Sequence, residues 1–167
     1  MPELRLPWTQ PQADGCLVLV LATAAASRQD GTLSTEGYAQ AERLGSHLAG
    51  RCDGLYTAPE AAAVATSGAL GPATVLQGFE VPPARSWGGP PAPGRGALPA
   101  LEDLRRTHPP GSLVTVVLHP DMVAGLTEQL ADLPRWRRRL PPPTGCRTLT
   151  WRADTGWRVL PGTWMPA

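Results

Sequence analysis

The sequence predicts an α/β domain built around a mostly parallel sheet with an antiparallel C-terminal edge. A continuous apolar run at residues 17–21 and a second, largely apolar segment at 112–118 are typical of parallel strands that are covered on both faces. Segments with helical periodicity lie between the strand patterns. Near the C-terminus, residues 147–151 and 157–160 alternate in hydrophobicity around a short turn, which indicates two antiparallel strands. The chain has 167 residues, so we expect one domain that spans all of it.

The first elements can be placed from local signals. Residues 1–14 contain three prolines and are expected to form an irregular arm before the first strand. Ser34 or Thr35 can cap the first long helix, and Gly50 ends it. The inner face of this helix is expected to carry Tyr38, Ala41, Leu44 and Leu48.

The middle of the chain is interrupted by a segment rich in proline and glycine. Before it, we expect in order a short strand, a helix and a strand at residues 54–57, 60–67 and 74–79. Residues 82–96 hold five prolines and four glycines and are predicted to be a long loop, which in a small domain is usually functional or disordered. A helix at 97–107 and another that opens at Pro120 flank the second apolar strand.

The composition excludes several classes of protein. With 42% hydrophobic and 17% charged residues, the chain can bury a core. A net charge of +1 argues against nucleic acid or an anionic membrane as the main partner. The longest apolar run, at 16–26, is shorter than the ~20 residues that span a bilayer, and the acidic residues and prolines before it argue against a secretory leader. Three cysteines without a CxxC pair predict reduced thiols and a cytoplasmic protein.

Four segments, in order, resemble the histidine phosphatase, or phosphoglycerate mutase-like, superfamily. LSTEGYAQA at 33–41 is similar to the family's LTxxGxxQA segment, and DGLYTAP at 53–59, followed by Thr66, is similar to its D-x-x-x-S-S-P segment. VVLH at 116–119 resembles the strand end that carries the family's second histidine, and 149–159 resembles its closing hairpin. The resemblance covers about residues 15–160 and implies a three-layer α/β/α sandwich of the phosphoglycerate mutase type.

The chain departs from this family where phosphate chemistry is expected. The family's first strand ends in Arg-His-Gly, whose histidine takes the phosphoryl group, and Leu21, Ala22 and Thr23 stand there instead. Ala62 occupies the place of a phosphate-binding arginine, and Pro120-Asp121 replaces the Gly-Gly pair after the second histidine. Phosphoryl transfer depends on converging positive charge and backbone donors, and loss of a covalent nucleophile can cost on the order of 10⁶ in turnover. We therefore expect neither phosphatase nor mutase activity.

A neutral pocket is expected where the charged one would be. Ligands of parallel α/β domains bind beyond the carboxyl ends of the strands, where we expect the following residues to meet: Leu21, Ala22, Thr23, Ala62 and His119. A small apolar recess beside one histidine suits a neutral, largely hydrophobic molecule. His119 can act there as general acid or base, with Asp121 to orient or charge it. The alternative for His119 is a capping hydrogen bond at its strand or helix.

Three further residues are weaker candidates. Glu80 stands near the position of the family's acid, ahead of Trp87 and a glycine, and can form an acid–base pair with His119 or simply be solvated. Trp87 can cover an apolar ligand or pin its loop to the body of the domain. Arg28 lies near the mouth of the site, where it can meet a carboxylate or form a surface ion pair.

The remaining histidines and a basic run are expected to be structural. His47 and His108 are taken as surface residues, and no spacing makes them a metal site. The run of arginines from 135 to 139, interrupted by Trp136, either contacts RNA or phosphate or complements a helix end. We expect no cofactor and no metal.

Two functions from different classes remain open. One is a repurposed enzyme that performs a cyclisation, isomerisation, elimination or hydration on a small hydrophobic molecule. All 15 basic residues are arginine, which indicates a GC-rich gene and is compatible with a specialised biosynthetic pathway. The other is a non-catalytic pseudophosphatase that binds a ligand or a protein. The oligomeric state is open, a homodimer included, and a chance resemblance within another α/β module is the third alternative.

Overall fold

The structure, a computed structural model, describes residues 6–81, 93–132 and 139–167. These residues form a sheet of six strands: β1 Leu17–Thr23, β2 Gly54–Thr57, β3 Thr74–Val75, β4 Leu113–Leu118, β5 Cys146–Arg152 and β6 Gly156–Val159. They also form five helices: α1 Thr9–Ala13, α2 Thr35–Leu48, α3 Ala61–Gly68, α4 Pro93–Thr107 and α5 Pro120–Leu130.

The sheet has the strand order β3-β2-β4-β1-β5-β6. Strands β3, β2, β4 and β1 pair in parallel, whereas β5 pairs antiparallel with β1 and β6 antiparallel with β5. The predicted α/β fold with a mostly parallel sheet and an antiparallel C-terminal edge is therefore confirmed.

Helices cover both faces of the sheet. The connections β1–α2–β2 and β2–α3–β3 both step toward the β3 edge, and the connection β3–α4–β4 steps back. Because parallel crossovers are right-handed, α2 and α3 lie on one face and α4 lies on the other. Helix α5 packs against α4, which completes the three layers.

The core follows the two central strands. Every residue of β1 and of β4 is buried, as the continuous apolar pattern of both segments predicts for strands covered on both faces. The largest fully buried side chains outside these strands include Trp8, Phe79, Leu101 and Met122. No helix in the described ranges is long and apolar enough to cross a membrane.

Helix α2 begins after Ser34, whose hydroxyl accepts a hydrogen bond from the Gly37 amide at 3.0 Å. Ala41, Leu44 and Leu48 face inward as predicted, but Tyr38 does not, since it is 58% exposed. The physical reason is the close approach of the helix to the chain after β1. A Cβ atom on Gly37 would overlap the Ala26 carbonyl, so the contact side of the first turn is set by Gly37.

Three predicted boundaries are corrected. Part of the arm expected to be irregular forms α1, and residues 1–5 of it lie outside the described residues. Helix α4 begins at Pro93, since proline is tolerated in the first turn of a helix. The predicted loop 82–96 therefore extends too far toward the C-terminus, and its residues 82–92 lie outside the described residues. The strand expected at 74–79 ends at Val75, since Gly78 adopts a φ of 97° and turns Phe79 into the core.

Candidate functional site

The carboxyl ends of β1 and β4 lie side by side. Thr23 is in register with Leu118, and the Ala24 amide donates to the Leu118 carbonyl at 2.8 Å. His119 follows Leu118 directly and therefore lies next to the segment that leaves β1. The structure thus brings the end of the first strand and the predicted catalytic histidine to the same edge of the sheet.

His119 is the N-cap residue of α5. Its Nδ1 accepts a hydrogen bond from the Asp121 amide at 3.1 Å, and Oδ2 of Asp121 lies 3.4 Å from the same nitrogen. Both side chains are 42% exposed, so the imidazole is accessible from solvent. The contact expected under the alternative interpretation, a helix cap, is therefore made, and it positions the ring without covering it.

The Asp121 contacts permit two proton arrangements of the ring. When Nδ1 accepts from the Asp121 amide, the neutral ring carries its proton on Nε2, which can then donate to a ligand. When Nδ1 carries the proton, it can donate to the Asp121 carboxylate, and Nε2 presents a lone pair. The site can in this way act as an acid or as a base through the same ring atom.

The residues predicted to line a recess at the end of β1 belong to the core. Leu21, Ala22 and Thr23 are each 0% exposed. Ala22 lies between Val117 on β4 and Cys146 on β5. Side chains this small and apolar pack directly against their neighbours, as protein interiors do. The three side chains are therefore buried at the end of β1 and are not exposed to solvent beside His119.

Ala62, on α3, packs beside the segment that follows β1. It is half-buried and packs against a small cluster of Ala25, Leu33 and Ala41. The position that resembles an arginine site in the sequence is thus occupied by an apolar contact between α3 and the chain after β1.

Residues of the motifs in α2 and α3 hold the segment after β1 in place. The Thr66 hydroxyl accepts from the Ala25 amide at 2.9 Å and donates to the Ala62 carbonyl at 2.6 Å. Gln40 Oε1 accepts from the Ala26 amide at 2.9 Å, and the Ser34 hydroxyl donates to the Ala26 carbonyl at 3.2 Å. These motif residues therefore hold the backbone of Ala25 and Ala26 in place. The sequence alone did not predict this structural role.

Arg28 is exposed on the turn beyond this segment. Its amide donates to the Thr32 carbonyl at 2.8 Å, and the adjoining residue Ser27 forms an isolated bridge with Leu33. This turn holds the backbone of Arg28 at the surface, which leaves its predicted contact with a ligand carboxylate a prediction.

Two carboxylates lie near the ends of β2 and β3. Glu80 is half-buried, and its Oε2 accepts from the Gly78 amide of its own loop at 2.7 Å. Glu60, which the sequence did not single out as a site residue, occupies the N-cap position of α3 without a side-chain capping bond. Its Oε1 instead accepts from the Val81 amide at 3.1 Å. Its position directly after Pro59, at the start of a predicted helix, was the available signal.

Two buried oxygens at this edge have no hydrogen-bond partner within the described ranges. They are Oγ1 of Thr23, at the end of β1, and Oε2 of Glu60, after β2. Buried polar atoms are almost always paired, so orphaned oxygens are uncommon and often belong to functional sites. Both lie at or just beyond the carboxyl end of a strand, as His119 does.

The other two histidines lie elsewhere. The His47 ring packs edge-on against Trp164 with centroids 5.0 Å apart, and Nε2 of His108 lies 2.7 Å from the Tyr56 hydroxyl. Neither is the plain surface residue that we expected, because each makes a specific ring contact. Since the chain has three histidines, His119 alone can serve this edge. Among the described residues, no group of three or more histidine, cysteine or acidic side chains is arranged to hold a metal ion.

The three cysteines form no disulfide bond. Cys16 and Cys146 are buried, Cys52 is half-buried, and all three are free thiols. Burial raises the pKa of the Cys146 thiol far above its usual range, which makes it unreactive. Trp87 and the arginine run from 135 to 138 lie outside the described residues.

The strand order of the sheet and the helices on both of its faces define the fold class. The chain has the fold of the histidine phosphatases, also called the phosphoglycerate mutase-like fold, as the motifs predicted. A mycobacterial protein, described as hydrolase 2, superposes with a TM-score of 0.77 at 17% identity and covers 91% of this chain and 92% of its own. Mycobacterial glucosyl-3-phosphoglycerate phosphatase superposes with a TM-score of 0.75 at 16% identity, covering 91% of this chain and 100% of its own.

A third similar structure comes from a eukaryote. Phosphoserine phosphatase from Entamoeba histolytica superposes with a TM-score of 0.71 at 15% identity and covers 87% of this chain and 95% of its own. No protein-family model matches the sequence, and no curated protein matches it. At these identities the likeness is one of fold, and the chemistry has to be argued from the residues at the site.

Proposed function

We propose that this protein uses the histidine phosphatase fold for acid–base chemistry on a small, neutral, largely hydrophobic molecule, without phosphoryl transfer. The observation that carries the proposal is the accessible imidazole of His119 at the carboxyl edge of the sheet, with Nδ1 engaged by Asp121. This leaves Nε2 as the atom that exchanges a proton with a ligand. No cofactor or metal enters the proposed chemistry.

The residues around His119 argue against a phosphate ester as substrate. Structures of the mycobacterial phosphatase with inorganic phosphate and of the Entamoeba phosphatase with phosphoserine are known, and those proteins have the same fold. A phosphate group carries about −1.5 to −2 charge and needs converging positive charge or backbone donors. Here the end of β1 is Leu-Ala-Thr, α3 offers Ala62, and the amide lost at Pro120 cannot donate.

A second carboxylate can complete the proton transfer. Glu80 remains our candidate partner for His119, and Glu60, whose buried Oε2 has no partner among the residues that the structure describes, is a further candidate on the adjoining strand end. One group would remove a proton from carbon while the other supplies a proton to oxygen, which is the common step of isomerisations, eliminations, hydrations and cyclisations. A specialised biosynthetic pathway, in the cytoplasm, is the setting that we propose for this chemistry.

A non-catalytic binding protein is the second candidate. The complete burial of Leu21, Ala22 and Thr23 favours it, because residues that line an active-site cleft would be exposed to solvent. On this account the His119 edge docks a ligand or a protein partner, and the His119–Asp121 contact serves only the cap of α5.

Hydrogen–deuterium exchange at carbon separates the two candidates. The full chain is incubated in D₂O with 2-heptanone and with a γ-lactone, and loss of the proton signals beside each carbonyl is followed by NMR. The enzyme proposal predicts that the protein accelerates exchange, because His119 removes a proton and solvent returns deuterium. His119→Asn should abolish the acceleration, and His47→Gln should retain it.

Two results would contradict the enzyme proposal. One is equal exchange rates with wild-type protein and with His119→Asn. The other is saturable binding of the probes, seen as shifted protein signals, without any acceleration of exchange, which would support the binding candidate instead.

A further inference from the structure

We propose that a second site, separate from the His119 edge, binds a small carboxylic acid with a short apolar chain. A cavity of about 390 Å³ lies between α5, the start of β5 and the C-terminal segment. We call it the hairpin cavity and define it by Ala124, Thr127, Leu140, Arg147 and Thr163. Its volume is within the range of small-molecule sites. Neither His119 nor Asp121 lines it.

One wall of the hairpin cavity is apolar. Val123, Ala124 and Thr127 lie on the buried face of α5. The Thr127 hydroxyl donates to the Val123 carbonyl at 2.7 Å, so its polar atom is satisfied within the helix. Leu140 also lines the cavity and is 57% exposed. An alkyl or aryl group packed beside Leu140 would remove the exposed apolar surface of this side chain from water.

The opposite side carries the positive charge of Arg147, whose hydrogen bonds within the described part of the chain go to neutral acceptors. Nη1 of Arg147 donates to the Gly162 carbonyl at 3.0 Å and to the Thr163 hydroxyl at 3.2 Å, and both acceptors are neutral. Burial lowers the pKa of Arg147, but a guanidinium keeps its charge at neutral pH in any protein environment. These contacts fix the guanidinium in one position on the lining of the cavity.

Arg147 selects the charge of the ligand, because its guanidinium is held on the lining of the cavity by neutral acceptors. A carboxylate matches the fork of a guanidinium with two parallel hydrogen bonds. The apolar wall and the fixed guanidinium together therefore point to a small monocarboxylic acid.

Calorimetric titration of the full chain tests this site. The probes are hexanoate and benzoate, with hexan-1-ol as the neutral counterpart. We expect saturable binding of at least one acid, and a loss of affinity of about tenfold or more in Arg147→Gln, since a charge-assisted pair is removed. Arg158→Gln, an exposed arginine on β6, is the matched control and should bind as the wild type does.

Two further variants separate the possible causes of a loss. Ala124→Leu fills the cavity without changing charge or the Arg147 contacts, and should also weaken binding. His119→Asn should leave binding unchanged, which makes this result independent of the proposed function. The proposal is overturned if neither acid binds at about 10 mM, if Arg147→Gln binds like Arg158→Gln, or if hexan-1-ol binds as tightly as hexanoate.

Discussion

Nδ1 of His119 accepts a hydrogen bond from the Asp121 amide at 3.1 Å and lies 3.4 Å from the carboxylate of the same residue. One ring nitrogen therefore faces both a helix cap and a negative charge. The cap explains why a histidine is held rigidly here, and the carboxylate provides a partner for a proton on Nδ1. The two roles can be separated by substitution.

Replacing His119 tests the cap. His119→Ala leaves the Asp121 amide without its side-chain acceptor and should lower the free energy of unfolding by about 1 kcal/mol. His119→Asn restores an acceptor at the N-cap and should recover most of that loss, although it cannot transfer a proton. Urea denaturation of the three proteins measures the difference. Equal stability of His119→Ala and the wild type would show that the hydrogen bond does not stabilise α5.

Gly37 is expected to tolerate no side chain. A Cβ atom there would overlap the backbone carbonyl of Ala26, which cannot move without disturbing the chain after β1. We expect Gly37→Ala to lower the free energy of unfolding by about 3 kcal/mol. Gly68→Ala, at a helical position with no atom within 4 Å, is the control and should be neutral or slightly stabilising. A Gly37→Ala protein as stable as Gly68→Ala would contradict the close approach.

Thr66 should contribute more to stability than an equivalent threonine at the surface. Thr66→Val removes the acceptor of the buried Ala25 amide, and an unpaired buried donor costs about 1–3 kcal/mol. Thr107 also donates to the carbonyl four residues earlier, at 2.8 Å, but is exposed, so Thr107→Val should change stability by less than about 0.5 kcal/mol. Thermal unfolding of both variants measures the contrast. Similar losses would mean that Thr66 does not hold the segment after β1.

The Tyr56–His108 contact predicts part of the pH dependence of stability. Burial lowers the pKa of His108, against an opposing effect of Asp53. Since the folded protein then binds the proton less readily than the unfolded chain, the contribution of His108 is present above its unfolded pKa of about 6.5 and is lost as pH falls through the lower folded pKa.

A comparison of two proteins isolates this contribution. The free energy of unfolding is measured at several pH values for the wild type and for His108→Gln, which can keep a hydrogen bond to Tyr56. The wild type should lose more stability than the variant as pH falls below about 6.5. Identical pH profiles would show that His108 is not desolvated in the folded state.

Much of the fold follows from the sequence because its signals are local. Strand β2 is found at the predicted residues, β1 contains the predicted run at 17–21, and β4 begins one residue later than predicted, at Leu113. Short apolar segments of this kind are typical of buried strands. The hydrophobic periodicity wrongly placed Tyr38 on the inner face of α2. The first turn of this helix contacts the chain through Gly37, and glycine contributes nothing to a hydrophobic pattern.

The site was less predictable than the fold. The meeting of His119 with the end of β1 depends on parallel register, which the motifs implied. The burial of Leu21 and Ala22 depends on the residues that pack against them. The hydrogen bond of Glu60 depends on the Val81 amide, which is 21 residues away in sequence. Neither relationship leaves a local pattern. The hairpin cavity is likewise formed by segments that are distant in the chain.

Release of p-nitrophenol from p-nitrophenyl phosphate tests the central claim most directly. If the site has exchanged phosphate chemistry for a neutral surface, the purified protein should give no release above the buffer blank, and phosphate should produce no saturable binding in calorimetry. Enzyme-dependent release that disappears in His119→Asn but persists in His47→Gln would contradict this account, because it would require an anion site that His119 alone completes.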